Sequence, residues 1–352
     1  MINAMTNTQP KAIALISGGL DSMLAAKLIQ DQGVHVEGIN FFTGFCVEGH
    51  THAIRRKQHN KPRRNNALWV AETLGIKLHI IDVVETYKDV VINSKHGYGA
   101  AMNPCLDCKV FMVKNAKDWM QKHDFDFIIT GEVVGQRPMS QTKNRMPIVE
   151  RRSETQDILL RPLCAHHFPE TRPEREGWVD RDTLLNLSGR GRSSQIAMAK
   201  EYGYDDYAQP AGGCCFLTDK TYSRKLTDLW LSRGERKYEL DDIMLLKVGR
   251  HLRPRSNFKM IIAREEGETN FLTGYKKRYT HLFSTSHGGP LVLIDGQLHE
   301  DDFALAAEIT ARFSQGKNAP VVTIDICQKD KAVQTLSVTP CSENNIQKDW
   351  CL

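Results

Sequence analysis

The sequence predicts an α/β protein, a doubly wound parallel sheet followed by a smaller α+β domain. Three observations carry that expectation. Short apolar runs alternate with amphipathic stretches through the first half, a glycine-rich turn joins an apolar run to a helical pattern, and the composition changes between Gly234 and Leu240. Strands that alternate with helices pack as a parallel sheet covered on both faces, with any ligand at the carboxyl ends of the strands.

Taken in order, Ala12–Ile16 reads as a strand, Met23–Gln30 as a helix stopped by Gly33, and Val34–Phe42 as a second strand. Asn66–Leu74 reads as a helix closed by Gly75, Lys77–Val84 as a strand, Pro104–Lys122 as a long helix and Phe125–Thr130 as a strand. From Arg151 to Gly213 the pattern is irregular and rich in Arg, Ser, Gly and Pro, which fits a helical lid or a substrate-facing segment. After the helical run Tyr222–Ser232, strand-like runs at Met260–Ala263, Pro290–Ile294 and Val321–Cys327 accompany a helix from Asp301 to Gln315. The expected division is 1–240, 241–330 and a polar, poorly ordered tail over 331–352.

A chain of 352 residues exceeds the roughly 250 to 300 residues at which a single core stops growing, which predicts two domains. Its 41% hydrophobic and 25% charged residues exclude a disordered or fibrous chain. No apolar run reaches the ~20 residues of a membrane span. The first residues lack the basic region of a signal peptide. Nine cysteines, an odd number that includes one CxxC, point to metal or sulfur chemistry in the cytoplasm rather than to disulfides. The net charge of +5 permits a nucleic-acid partner.

Ser17-Gly18-Gly19-Leu20-Asp21-Ser22 follows a strand and opens a helix. In that setting backbone N–H groups at a positive helix end can wrap phosphate, the serines add hydroxyl donors, and Asp21 can hold Mg²⁺. No lysine follows as in a GxxxxGK[ST] loop, which disfavours γ-phosphate chemistry of that kind. The loop resembles that of the PP-loop ATP pyrophosphatases. The resemblance implies ATP and Mg²⁺, an adenylated substrate and a pyrophosphate leaving group, with Ser17, Gly18, Gly19, Leu20, Asp21 and Ser22 at the nucleotide.

Asn103-Pro104-Cys105-Leu106-Asp107-Cys108 reads as a helix start, with Asn103 as cap, Pro104 at the first helical position and both thiols on one face of the first turn. The positive helix end favours thiolates able to bind metal or carry sulfur, the alternative being a buried apolar pair. A further candidate sulfur comes from Gly212-Gly213-Cys214-Cys215-Phe216, where either cysteine could serve. Cys46, Cys164, Cys327, Cys341 and Cys351 stand alone and read as core, surface or tail. Three thiols with an open fourth position differ from a closed zinc site. They resemble the arrangement of tRNA thiolases in which a CxxC and one distant cysteine hold a [4Fe–4S] cluster. That resemblance implies Cys105, Cys108 and Cys214 or Cys215 as catalytic and metal-binding residues. A persulfide relay through the same cysteines stays open.

Thr130-Gly131-Glu132-Val133-Val134-Gly135-Gln136, followed by Ser140-Gln141-Thr142, resembles the corresponding loop of bacterial 4-thiouridine synthetases. This places Gly131, Glu132 and Gln136 by the nucleotide, with Glu132 as a ligand of Mg²⁺ or ribose or as a solvated turn residue. The resemblance covers about Lys11 to Asp219. It implies a tRNA uridine thiolase, with sulfide or a cysteine desulfurase as sulfur donor. About ten residues precede the first strand, so the N-terminal RNA-binding region and the downstream sulfurtransferase domain of the fuller synthetases are expected to be missing. The competing readings are a PP-loop ligase on a small molecule or RNA base, and an RNA-binding factor whose loop only senses nucleotide.

RNA contacts are expected first from the loop 50–64, through Arg55, Arg56, Lys57, Arg63 and Arg64, with a solvated insertion as the alternative. Its three histidines lack acidic or cysteine company and do not read as a metal site. Arg137 and the stretch Ser188–Ser193, with Arg190 and Arg192, are the next candidates. From Asp242 to Ile326 the chain resembles the NFACT RNA-binding domain, through Val248-Gly249-Arg250-His251 and Gly289-Pro290. That resemblance implies phosphate contacts at Arg250, Arg253, Arg255, Lys276, Lys277 and Arg278.

Overall fold

The computed structural model describes residues 9–47, 57–58, 61–62, 64–99, 101–207, 214–329 and 331–352. It comprises two compact units, Met1–Thr43 with Arg64–Gly213, and Gly44–Arg63 with Cys214–Leu352.

In the first unit, β1 (Lys11–Leu15), β2 (His35–Phe42), β3 (Leu78–Asp82), β4 (Phe127–Thr130) and β5 (Leu159–Leu160) form a sheet in the order β3-β2-β1-β4-β5. Every pairing is parallel. β1 is apolar on both faces because helices cover both, and Ala12, Ala14 and Ile16 are buried in one cluster with Phe127 and Ile129 of β4. The helices are α1 (Leu20–Gln30), α2 (Asn66–Leu74), α3 (Val84–Ile92), α4 (Cys105–Lys122), α5 (Met146–Ser153), α6 (Arg172–Arg175) and α7 (Ser193–Glu201).

Local chemistry sets several ends. The Asn65 side chain caps α2 by accepting from Ala67 and Leu68 N–H at 3.0 and 3.2 Å, and Gly75 ends it at φ 64°. Strand order reverses between β1 and β4, so the turns after these two strands meet where doubly wound sheets bind ligands. The stretch from Arg151 to Gly213 supplies the edge strand β5 and the helix α7, so much of it is scaffold. Helix α3 followed β3 too closely to be separated from it by pattern alone.

The second unit holds α8 (Lys220–Arg233), α9 (Leu240–Leu245), α10 (Glu266–Thr273) and α11 (Phe303–Arg312). Its sheet comprises β6 (Arg250–Arg255), β7 (Phe258–Ile262), β8 (Thr280–Ser284), β9 (Val292–Gly296), β10 (Val322–Gln328) and β11 (Lys331–Val338), in the order β11-β10-β8-β9-β7-β6. All these pairings are antiparallel. The unit begins ahead of residue 241 because α8 packs into it. Tyr222 donates to the carbonyl of Ile243 at 3.1 Å, and the Lys225 ammonium donates to Leu246 and Gly249 carbonyls at 3.2 Å.

The expected tail is corrected. Residues 331–338 are the strand β11 on β10, and Leu336, Ile346 and Trp350 pack on the apolar core beneath α11. Residues 331–335 are all exposed and only Leu336 and Val338 are half-buried, so the composition of the segment reads as disorder. Removing residues 331–352 should destabilise the second unit by at least about 3 kcal/mol, from the apolar area lost and a bared β10 edge. Thermal unfolding of the full and shortened chains measures it, and an unchanged transition would return the segment to a dispensable tail.

Candidate active site

The turn after β1 is shaped by what cannot fit. Gly18 has φ +81°, and a Cβ there would lie 2.8 Å from the backbone nitrogen of Ala67 in the first turn of α2. Gly19 is the N-cap of α1, with no side chain to cap it. The first intrahelical bond is Met23 N–H to Gly19 carbonyl at 3.3 Å, so the N–H groups of Leu20, Asp21 and Ser22 point out of the helix end. Leu20 offers only its backbone there, because its side chain is 2% exposed in the core. Ser22 Oγ donates to the Gly19 carbonyl at 2.8 Å and lies 3.4 Å from Ser17 Oγ, which makes these hydroxyls braces of the turn.

Asp21 stands in the first turn of α1 with little access to water, and Arg192 Nη2 lies 3.3 Å from its Oδ2. Burial raises its carboxyl above the ordinary value, against the opposing pull of Arg192, Gln136, Arg137 and Gln195. Among the described residues, Asp21 Oδ1, Gln136 Nε2 and Gln195 Nε2 are buried with no hydrogen-bond partner. Gln136 and Gln195 lie close enough to pull its pKa down, though neither amide nitrogen completes a hydrogen bond. Orphaned polar atoms of both signs around one helix end fit a ligand that brings phosphate oxygens and a cation.

The turn after β4 meets this loop backbone to backbone. A Cβ on Gly131 would lie 2.4 Å from the carbonyl of Asp21 and the nitrogen of Ser22, so no other residue fits without moving α1. Glu132 is 1% exposed, which excludes the solvated-turn alternative. Arg161 Nε donates to its Oε2 at 3.0 Å, Thr130 Oγ1 at 3.1 Å, and Lys109 Nζ lies 3.5 Å from Oε1. Burial alone would raise its carboxyl, but the charges of Lys109 and Arg161 with the hydrogen bonds of Arg161 and Thr130 hold it below the usual range. Its Oε2 is therefore committed to an internal network that also takes in Glu150 through Arg161.

Ser188 bridges Val134, and Gly189 N–H donates to the Val134 carbonyl at 2.7 Å. This delivers Arg192 to Asp21, beside the glycine loop. Arg137 and Arg190 are exposed. Arg64 lies 2.8 Å from Asp206 and 3.8 Å over the ring of Trp69. Arg55, Arg56 and Arg63 lie outside the described residues, as do the loop histidines, and of Lys57 only the backbone is described, in a short antiparallel ribbon with Pro62.

Cys105 and Cys108 open the 18-residue helix α4, half-buried, at its positive end. The cap differs from expectation. Pro104 is the N-cap, and the Asn103 amide turns to Cys105 Sγ at 3.1 Å, because the compact turn ahead of the helix directs it to the sulfur. Asp107 ties the first turn down by accepting from Ser94 Oγ and His96 Nδ1, each at 2.6 Å. Lys109, one residue beyond Cys108, links the same turn to Glu132.

The second unit holds the other candidate sulfurs and one that sequence reasoning set aside. Cys46 is not isolated: it forms an antiparallel bridge with Cys215, and Phe216 N–H donates to the Phe45 carbonyl at 2.9 Å. Lys247 donates to the Gly44 carbonyl, lies 3.5 Å from the Cys46 carbonyl and stands 4.9 Å over the ring of Phe216. Burial lowers its pKa to about 8, against the opposing charges of Cys46 and Cys215. Cys214 is exposed, and Cys215 is half-buried. Among the described residues, no group of three or more His, Cys, Asp or Glu side chains is arranged to hold a metal.

Of the other predicted RNA contacts, Arg250 is exposed and lies 5.2 Å over the ring of Phe313. Arg253 is bound to Asp228, Arg255 lies 2.9 Å from Asp302 and Arg278 2.7 Å from Asp241. Arg253 is thereby part of the fold, since both it and Asp228 are largely buried.

Residues 7–168 match the family model described as thiamine biosynthesis protein (ThiI), and residues 249–351 match that described as NFACT protein RNA binding domain. A tRNA-specific 2-thiouridylase MnmA of Syntrophus aciditrophicus is 25% identical over 228 residues, covering 59% of this chain and 57% of that protein. A tRNA sulfurtransferase of Yersinia enterocolitica is 23% identical over 234 residues, covering 66% and 40%. A 4-thiouridine synthetase crystallised with RNA and ATP aligns over 60% of this chain and 46% of its own at a TM-score of 0.40 and 22% identity. The chain spans about half the length of the curated relatives it matches.

Two stability measurements test this geometry. Replacing Glu132 with Gln leaves the buried Arg161 short of one counter-charge and should cost about 3 kcal/mol, read by denaturant unfolding; no loss would mean the network carries nothing. Asp21 gives the opposite sign. Its raised carboxyl favours the folded state at low pH, and that advantage is lost as pH rises through the folded pKa. Asp21→Asn should therefore unfold at a temperature equal to or above that of the native chain at pH 7.5, the gap closing as pH falls. A variant less stable at pH 7.5 would show the carboxylate to be a stabilising partner of Arg192.

Proposed function

We propose that this chain, whose residues match the ThiI family over 7–168 and the NFACT RNA-binding domain over 249–351, is an ATP-dependent tRNA sulfurtransferase that converts a uridine to a thiouridine, 4-thiouridine by the loop resemblance. The observation that carries the reading is the buried, unsatisfied Asp21 carboxylate at the N-terminus of α1, at the sheet's switch point and opposite Arg192.

In this reading the backbone N–H groups of Leu20, Asp21 and Ser22 donate to the phosphate oxygens, and Asp21 Oδ1 would hold Mg²⁺. Arg192 exchanges its carboxylate partner for phosphate and stabilises the charge on departing pyrophosphate. Gln136 and Gln195 orient the nucleotide, while Glu132 fixes the turn through Arg161 and so acts as a positioning residue. The uridine carbonyl oxygen attacks the α-phosphorus, pyrophosphate leaves along the α1 axis, and the adenylated carbon becomes open to sulfur. A [4Fe–4S] cluster held by Cys105, Cys108 and one of Cys214 and Cys215 would supply sulfide when bound. The three thiols, the helix end beneath Cys105 and Cys108, and the relatives' names support this reading over a PP-loop ligase or a nucleotide-sensing RNA factor. The tRNA is engaged through Arg137, Arg190, Arg250 and Lys277, with Arg55, Arg56, Lys57 and Arg63 as further candidates, in the cytoplasm.

With ATP, Mg²⁺ and tRNA the protein should release AMP and pyrophosphate, and Asp21→Ala should lower the rate by at least about 100-fold, the usual scale for a lost electrostatic group. Production of ADP and phosphate would overturn the adenylation. Anaerobically purified protein should be brown and form 4-thiouridine from inorganic sulfide, read by nucleoside mass spectrometry. Cys105→Ala or Cys108→Ala should bleach it and stop thiolation while ATP binding persists; a colourless protein thiolating at full rate would remove the cluster. Arg190→Ala and Arg250→Ala should each weaken tRNA binding and lower its log–log salt slope by about one unit, and an unchanged slope would take that residue off the RNA.

A further inference from the structure

We propose that the cavity between the turn 93–99 and helix α5, lined by His96, Ile148, Arg151 and Arg152, receives a backbone phosphate of the tRNA and holds that strand beside the turn of α4 that carries Cys105 and Cys108. The inference deepens the proposed function, on which it rests for its substrate, by giving the RNA a hold at the cysteine helix.

Helical period divides the faces of α5. Met146, Val149 and Ser153 are buried on the core side, while Ile148, Arg151 and Arg152, spaced i, i+3 and i+4, line the cavity. Both arginines are exposed, and among the described residues neither makes an ion pair or a side-chain hydrogen bond. The two carboxylates nearest them in sequence are already taken, Glu150 by Arg161 and Glu154 by Lys117 of α4. Two guanidiniums without a counter-charge at one concave face suit the oxygens of a phosphate. Both also stand in the last turn of α5, where positive charge favours the helix end, so the experiment has to separate binding from support of the helix.

The opposite wall is fixed before any ligand arrives. Asp107 Oδ1 accepts from His96 Nδ1 at 2.6 Å, and its Oδ2 accepts from His96 N–H at 2.8 Å and from Ser94 Oγ at 2.6 Å. Tyr98 OH donates to the Val91 carbonyl at 2.7 Å and pins the same turn to α3. With Nδ1 committed to Asp107, the imidazole keeps Nε2 for a ligand. Asp107 stands between Cys105 and Cys108 in the first turn of α4, so one hydrogen-bonded residue links the cavity wall to the turn that bears both thiols.

Size and lining favour a strand over a free anion. The cavity encloses about 380 Å³, near the low end of the roughly 300–1,000 Å³ of small-ligand sites, which suits one nucleotide unit of a chain. Ile148 supplies an apolar wall that a ribose can cover and an inorganic ion cannot use. Lys95, exposed beside His96, extends the positive rim along which a neighbouring phosphate would run.

The test measures binding of unmodified tRNA to the full-length chain across a salt series, with ATP binding and thiolation read on the same preparations. The double variant Arg151→Gln with Arg152→Gln should lower the log–log salt slope by about one to two units and raise KM for tRNA more than it lowers kcat, with ATP binding native. Arg151→Lys with Arg152→Lys keeps both charges and should keep the native slope. Lys122→Gln, an exposed cation removed from the far end of α4, should also leave the slope unchanged. A native slope in the glutamine variant takes the cavity off the RNA. An equal loss in the lysine variant shows that the arginines support the fold, and an equal loss in Lys122→Gln reduces the effect to net charge; either overturns the site. Inorganic phosphate that binds the native chain as tightly as tRNA, and not the glutamine variant, makes the cavity a free-anion site and overturns it as well. If the variant loses tRNA as expected but the native chain forms no thiouridine, the proposed function falls and this contact stands.

Discussion

The approach of Gly131 to the backbone of Asp21 is the constraint on which the first unit turns. Two strands that are neighbours in the sheet send their turns to the same point, and only a residue without a Cβ lets them touch. The contact fixes the first turn of α1 at the sheet's switch point, with Asp21 Oδ1 buried and unbonded. Arg192 arrives through a separate pairing, Ser188 on Val134. The resulting site holds the carboxyl of Asp21 and the Arg192 guanidinium at 3.3 Å.

Glu132 carries the geometry outward. Arg161 is 3% exposed, and its charge is tolerated because Glu132 and Glu150 both accept from it. Through Lys109 the same carboxylate touches the turn that bears Cys105 and Cys108. The nucleotide loop and the CxxC are thus tied to one buried charge network, so a change in Glu132 would be felt at both without either touching it. A glutamate beside a glycine loop invites a metal-ligand reading; its Oε2 accepts from Arg161 and Thr130, while Oε1 is buried without a hydrogen bond.

The second unit shows the same economy of placement. Its helices and antiparallel sheet recruit residues 44–47, which follow β2 in sequence but pack with α8 and α9. Gly44 has φ +80° and turns the chain so that Phe45 enters the core and Cys46 aligns with Cys215. Lys247 then closes on the carbonyls of that segment. Much of the unit's positive charge is consumed internally, by Asp228 on Arg253 and by Asp228 and Asp295 around the fully buried Lys259. A count of arginines therefore overstates the surface free for phosphate; Arg250 and Lys277 are among the unit's exposed cations.

By itself the sequence determined the alternating architecture, the glycine loop at the start of α1, the helix that opens on Cys105 and Cys108, and three of the six strands of the second sheet. These are local properties: hydrophobic period, glycine at a turn that demands it, and proline and asparagine at helix ends act within a few residues and can be read there. Helix α2 was legible to the residue because Asn65 and Gly75 close it from both sides. Tertiary structure alone decided which charges are spent and which cysteines meet. Arg192 and Asp21, Glu132 and Arg161, and Cys46 and Cys215 are distant in sequence, and Lys247 lies 203 positions from the Gly44 carbonyl it binds. The tail, too, became a strand only because β10 offered it an edge. Such pairings depend on how layers stack around a core, and a one-dimensional pattern carries no record of that distance.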